Sequence, residues 1–115
     1  MDLIYLLMSP ANYKAAMAAG HWTPASLASE GFIHASPADQ LTRVANKHYR
    51  EHPELMVVTL AADRIGSEVR WEPATGGLYP HIYGPLNMDA VDSVQQVSRQ
   101  PDGSYSIDLV DPAAD

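Results

Sequence analysis

Cysteine is absent from this 115-residue chain, which excludes a disulfide framework, a thiolate metal site and a cysteine nucleophile. Phenylalanine occurs once, as Phe32. No apolar run approaches the ~18 residues that a membrane-spanning helix requires. The N-terminus also lacks the basic-then-apolar layout of a secretory signal, and Leu3–Met8 is short enough to be expected as a strand. A cytoplasmic protein without membrane attachment is the resulting expectation. Positive charge is scarce as well: 7 Lys and Arg stand against 14 Asp and Glu, for a net charge of −7. A protein that grips a nucleic-acid backbone presents a basic surface, so bulk nucleic-acid binding is not expected. Several chemical signatures are missing too. The chain has no Gly-x-Ser-x-Gly elbow, no Gly-rich phosphate loop (Thr75-Gly76-Gly77 reads as a turn) and no recognised metal-ligand spacing. No metal is therefore assigned.

What is present begins with punctuation. Ser9-Pro10, Thr23-Pro24 and Ser36-Pro37 each join a capping side chain to a residue suited to the first helical position. They predict helices over Ala11–Ala19, stopped by Gly20, over a short stretch from Pro24 to about Gly31, and over Pro37–Arg50. In the last, Asp39 follows Ser36 by three residues, close to a capping box, and Leu41, Val44, Ala45 and His48 mark an inward face. Arg43, Lys47 and Arg50 read as a solvated stripe, with Asp39 and Arg43 as an i,i+4 pair. Strands are predicted at Leu3–Met8, Phe32–Ala35, Met56–Ala61 and Val69–Glu72. Two more, Ala90–Val97 and Ser104–Val110, flank the turn chemistry of Pro101-Asp102-Gly103. Helices early and strands late describe an α+β domain, expected over residues 1–111, with 112–115 as a frayed tail.

Two segments concentrate the chemistry: Gly31-Phe32-Ile33-His34-Ala35-Ser36 and Pro80-His81-Ile82-Tyr83-Gly84-Pro85. Each sets an imidazole within an apolar, β-like run, where a polar group costs free energy unless partnered. Either histidine has a plain reading, as a core imidazole bonded to backbone. A shared pocket, with His34 and His81 exchanging protons or holding a ligand oxygen, is the functional reading. Prolines on both sides of His81–Gly84 suggest a rigid loop holding His81 and Tyr83. Ser36 reads as a helix cap or a hydroxyl in the site. Gln40 lies one turn further on, in reach of the same cleft or solvated. Glu72 reads as a base if it faces the cleft and as a surface carboxylate otherwise, and its neighbour Trp71 points the other way on a regular strand.

The succession Ile4-Tyr5, Gly20-x-Trp22, Glu30-Gly31-Phe32-Ile33-His34-x-Ser36, Gln40, Trp71-Glu72-Pro73 and Pro80-His81-Ile82-Tyr83-Gly84-Pro85-Leu86 resembles a family of small bacterial proteins catalogued as a domain of unknown function, DUF952. The resemblance covers roughly residues 3 to 97 and implies the ADP-ribosyltransferase-like fold, a split, mostly antiparallel β core with flanking helices. It implies in turn a cleft for NAD or a related nucleotide. On that basis His81, Glu72 and His34 are the expected catalytic residues, and Tyr5, Ser36, Gln40, Trp71 and Tyr83 the expected cofactor-binding ones. Leu6 departs from the pattern, since many relatives carry His after the first-strand Tyr as a ribose contact. Two functions follow: a nucleotide-dependent transferase, or a catalytically silent module of the same fold that binds a small metabolite.

Overall fold

The computed structural model describes residues 2–109 and is an α+β arrangement of short helices and antiparallel sheets. Strand β1 (Leu3–Met8) leads into helix α1 (Pro10–Ala19). The helix starts as its sequence dictates: the Ser9 hydroxyl accepts a hydrogen bond from the Asn12 N–H at 3.1 Å, and Pro10 fills the first turn. It ends at Gly20, whose φ of +85° is the left-handed conformation that glycine adopts freely. A two-residue strand β2 (His21–Trp22), helix α2 (Ala25–Ser29) and strand β3 (Ile33–His34) follow. Next come helix α3 (Leu41–His48) and strands β4 (Glu54–Ala61), β5 (Glu68–Ala74), β6 (Gly77–Tyr83), β7 (Leu86–Asn87) and β8 (Val91–Ser98).

Two three-stranded antiparallel sheets dominate, in the orders β1-β4-β8 and β3-β6-β5, with β2 and β7 as a small ribbon beside them. In the first sheet β1 and β4 are buried on both faces, while β8 is half-buried on one face and exposed on the other. Ile4, Leu6, Met8, Val58 and Leu60 join Ile33 and Ile82 of the second sheet in one core. Leu7, Leu55 and Val57 pack instead with Leu41 and Ala45 of α3 and with Tyr105. The second sheet divides its faces. Ile33, Val69 and Ile82 turn to the core, and the alternate residues His34, Arg70, Glu72, Tyr79, His81 and Tyr83 share the opposite face. A backbone bridge joins the sheets, with Tyr5 N–H donating to Ser36 O at 3.0 Å and Ser36 N–H to Tyr5 O at 2.8 Å.

Four expectations are corrected. Ser36 does not cap a helix: its backbone is spent on Tyr5, and the chain enters α3 through a 3₁₀ turn at Ala38–Gln40 with no side-chain cap. Asp39 does not pair with Arg43, because the guanidinium reaches across to the β5–β6 hairpin instead. The segment Pro80–Tyr83 is no loop but the middle strand of its sheet. Its proline is tolerated for a geometric reason. Pro80 O accepts from Ala35 N–H at 3.1 Å, so the nitrogen of Pro80 faces β3, where the ladder stops after His34–His81. By the same parity Pro73, two residues along from Trp71, directs its nitrogen to the open edge of β5.

The fourth correction concerns residues 104–109, which form no strand, while Val110 and the tail lie outside the described residues. The turn at Pro101–Gly103 does form, closed by Gln100 N–H to Ser104 O at 2.8 Å. Beyond it the backbone pairs with side chains of α3. Asn46 accepts from Tyr105 N–H at 2.7 Å and donates to Tyr105 O at 2.9 Å, and Thr42 Oγ1 accepts from Ile107 N–H at 3.0 Å. Asn46 and Thr42 stand one helical turn apart, so α3 substitutes for a neighbouring strand. Among the described residues no helix is long and apolar enough to cross a membrane.

Candidate functional site

His34 and His81 are direct cross-strand partners in the β3–β6 ladder, so both side chains leave the same face of the sheet. Their rings meet edge to face with centroids 5.5 Å apart. Phe32 completes the group, stacked on His81 at 4.1 Å and edge-on to His34 at 4.8 Å. The two imidazoles differ in setting. The side chain of His81 is 11% exposed and that of His34 is 55% exposed. Each has its own carboxylate: His81 Nδ1 lies 2.8 Å from Glu72 Oε1, and His34 Nε2 lies 2.9 Å from Glu30 Oε2.

Behind His81 the contacts continue. The Tyr83 hydroxyl donates to the same Glu72 oxygen, and the Arg70 guanidinium lies 4.5 Å from the Tyr83 ring centroid while pairing with Glu68 at 3.0 Å. The hydrogen bond from Tyr83, seconded by that from His81, holds the Glu72 carboxyl below its ordinary range. Bonding to Glu72 in turn pushes the Tyr83 hydroxyl upward. Glu72 is therefore an anion at neutral pH, and it fixes the His81 tautomer with its proton on Nδ1. The other nitrogen, Nε2, has no hydrogen-bond partner among the described residues, and His81 lines a cavity.

That cavity, of about 520 Å³, lies between the polar face of β3–β6–β5 and helix α3. His34, Ser36, Tyr79 and His81 line one side, and Arg43, Lys47 and His48 the other. Every formally charged residue in the lining is cationic, in a chain whose net charge is −7. Among the described residues no carboxylate pairs with Arg43 or Lys47. Arg43 ties the hairpin to the helix, donating to Thr75 O at 2.8 Å, the Tyr79 hydroxyl at 2.9 Å and Gln40 Oε1 at 3.0 Å. Gly76 admits it: a Cβ there would come within 2.1 Å of the guanidinium, and the φ of +102° already disfavours a side chain. A second cavity of about 240 Å³, lined by Ser9, Asn12, Trp22 and His52 among others, shares His34 and Tyr49 with the first.

The structure thus brings His34, His81, Glu72 and Tyr83 together, with Ser36 on the cavity wall. The remaining expected residues stand elsewhere. Tyr5 packs half-buried against the core below α3, Gln40 is engaged by Arg43 and Tyr79, and Trp71 lies on the opposite face of the sheet from Glu72. Leu6, where a ribose-binding His was expected, is buried between the sheets and lines neither cavity. Arg43, Lys47 and Tyr79 were not among the expected site residues. A sequence signal existed, since Arg43, Lys47 and Arg50 are three of only seven basic residues and fall within eight positions. Among the described residues no cluster of three or more His, Asp and Glu is arranged to hold a metal ion.

A model of a protein family described as "Protein of unknown function (DUF952)" matches residues 7–94. The chain belongs to the DUF952 family. A crystal structure of the protein CC0527 from Caulobacter crescentus is 33% identical, with a TM-score of 0.79 over 90% of this chain and 92% of that one. A double-methionine variant of CC0527 superposes equally well, and its solution NMR structure gives a TM-score of 0.76 at the same identity. No curated protein matches the chain.

Proposed function

We infer that this protein binds a nucleotide, or a related phosphate-bearing metabolite, in the cavity between α3 and the β3–β6–β5 sheet. One observation carries the reading: Arg43, Lys47 and three imidazoles line a cavity in an acidic chain, with no carboxylate in its lining. Concentrating scarce positive charge at one concave site favours an anionic ligand, and about 520 Å³ is within the range of small-molecule sites. The fold supports the same reading at a finer level. Two antiparallel sheets that pack on a common core and are joined through their backbones at the Tyr5–Ser36 bridge resemble the split core of the ADP-ribosyltransferase-like group, with the cavity beside the seam. NAD and ADP-ribose are accordingly the first ligands to try, in a cytoplasmic setting where nucleotides are plentiful. In a transferase, His81, oriented by Glu72, and His34 would supply the acid–base chemistry.

A silent binding module is the second reading, favoured by Leu6, which removes an imidazole that the resemblance makes a ribose ligand. A proton NMR titration of the five histidines with NAD, ADP-ribose and a nucleoside 2′-phosphate tests the nucleotide reading. Selective shifts are expected at His34, His48 and His81, with His21 unmoved. An absence of shifts at millimolar ligand would remove nucleotides from consideration. Release of nicotinamide from NAD would separate the transferase from the silent module.

A further inference from the structure

We propose that the His34–His81 pair makes this cavity a phosphodiester-cleaving site, with His81 as general base and His34 as general acid; the proposal rests on the phosphate-binding reading above. Glu72 accepts from His81 Nδ1, so the lone pair of Nε2 is left for the cavity, and Phe32 stacked at 4.1 Å holds the ring plane. A buried imidazole with one nitrogen fixed by an anion and the other directed at a ligand space is a preorganised proton acceptor. His34 has the complementary arrangement. Its Nε2 is engaged by Glu30, so an imidazolium there keeps Nδ1–H for the shared cavity. The two rings stand side by side on one face of the sheet, in edge-to-face contact with centroids 5.5 Å apart, and both line the cavity, so a single phosphate group there is within reach of both.

In the step itself, the oxygen of a water molecule, or of a ligand hydroxyl beside the phosphate, attacks phosphorus as His81 Nε2 takes its proton. The bond from phosphorus to the leaving oxygen breaks, its electron pair stays on that oxygen, and His34 Nδ1–H protonates it. Proton exchange with solvent restores both imidazoles, so neither oxidant nor co-reactant is consumed. Arg43 and Lys47, across the cavity, face the charge that gathers on the non-bridging oxygens. Glu72 is a positioning residue, because it acts through His81 and lies outside the cavity lining. The charged and titratable groups around the imidazoles are Glu72 and Arg70 on β5, Tyr79 and Tyr83 on β6, Glu30 beside His34, Arg43, Lys47 and His48 on α3, and Tyr49 at its end.

The test uses the full chain with bis(p-nitrophenyl) phosphate and a nucleoside 2′,3′-cyclic phosphate, in parallel with inorganic phosphate binding followed by histidine NMR. The expected result is release of p-nitrophenol and opening of the cyclic ester, with a bell-shaped pH profile. Each of His81→Ala and His34→Ala should lower kcat about 100-fold or more, in line with the usual contribution of general acid–base catalysis. His34→Ala, at an exposed position, is the variant expected to stay folded and bind phosphate. Glu72→Gln should lower kcat more than it raises KM and should displace the basic-form limb of the profile. Phosphate binding without cleavage of either diester would overturn the proposal and leave the binding reading standing. Cleavage unaffected by His34→Ala and Glu72→Gln would overturn it as well. Failure of phosphate to move any histidine would bring down both.

Discussion

The two sheets make the most useful comparison in the molecule. In β1-β4-β8 the strands β1 and β4 are covered on both faces, by the second sheet on one side and α3 with Tyr105 on the other. β3-β6-β5 has an apolar face on the core and a polar face turned to α3 across a cavity, so the alternate residues of β6, Tyr79, His81 and Tyr83, are held by hydrogen bonds and ring contacts instead of an aliphatic core. A strand with two buried faces has no position to give to chemistry, because any polar group placed there must find a partner or cost stability. In β6, apolar Ile82 holds the sheet to the core while its neighbours His81 and Tyr83 bond to Glu72 on the other face.

The sharpest way to break this division is at its shared residue. Ile82→Ala, at a fully buried position, should cost about 2–5 kcal/mol and lower the unfolding temperature more than any change on the polar face. Asn46→Ala ranks next, since it removes both hydrogen bonds that hold Tyr105 to α3. A loss of about 1–3 kcal/mol is expected, with faster amide exchange at Tyr105 as the diagnostic. The polar face should reveal itself through pH. Glu72 titrates below its ordinary value in the folded protein, so it contributes stability that is complete above that ordinary value. The contribution is lost as pH falls through the depressed one. Glu68 and Asp102 are lowered too, by Arg70 and Ser104, so acid unfolding has several contributors. In Glu72→Gln the slope of stability against pH below about 5 should be shallower than in the parent, measured by denaturant titration. The smallest effect belongs to Trp71→Ala. On the far face and 44% exposed, it should alter stability by about 0.5 kcal/mol or less and leave phosphate affinity as it was.

Local chemistry made part of this structure legible in advance. Ser9-Pro10 and Gly20 bracketed α1 because capping and left-handed glycine are properties of short segments. His34 and His81 could be suspected of meeting because both stood in β-like runs, and antiparallel pairing then set them opposite one another. What escaped was non-local. Residues 104–109 alternate as a strand should, yet their hydrogen bonds go to Asn46 and Thr42, a pairing no local pattern announces. Pro80 argued for a loop until the end of the β3 ladder relieved it of a donor's duty. Arg43 and Lys47 looked solvated because helical spacing shows which residues share a face, not what that face looks onto. The basic wall of the cavity exists only after the β5–β6 hairpin folds across α3.

Pro80 has one more consequence. With no N–H to offer, it ends the β3 ladder at His34, and the departing chain carries Ser36 over to Tyr5 in the neighbouring sheet. The two sheets are in this sense a single woven surface with one dropped stitch. The gap falls beside Ala35 and Ser36, which border the larger cavity. A residue able to donate at position 80 could return a hydrogen bond to Ala35 O and carry the weave one stitch further.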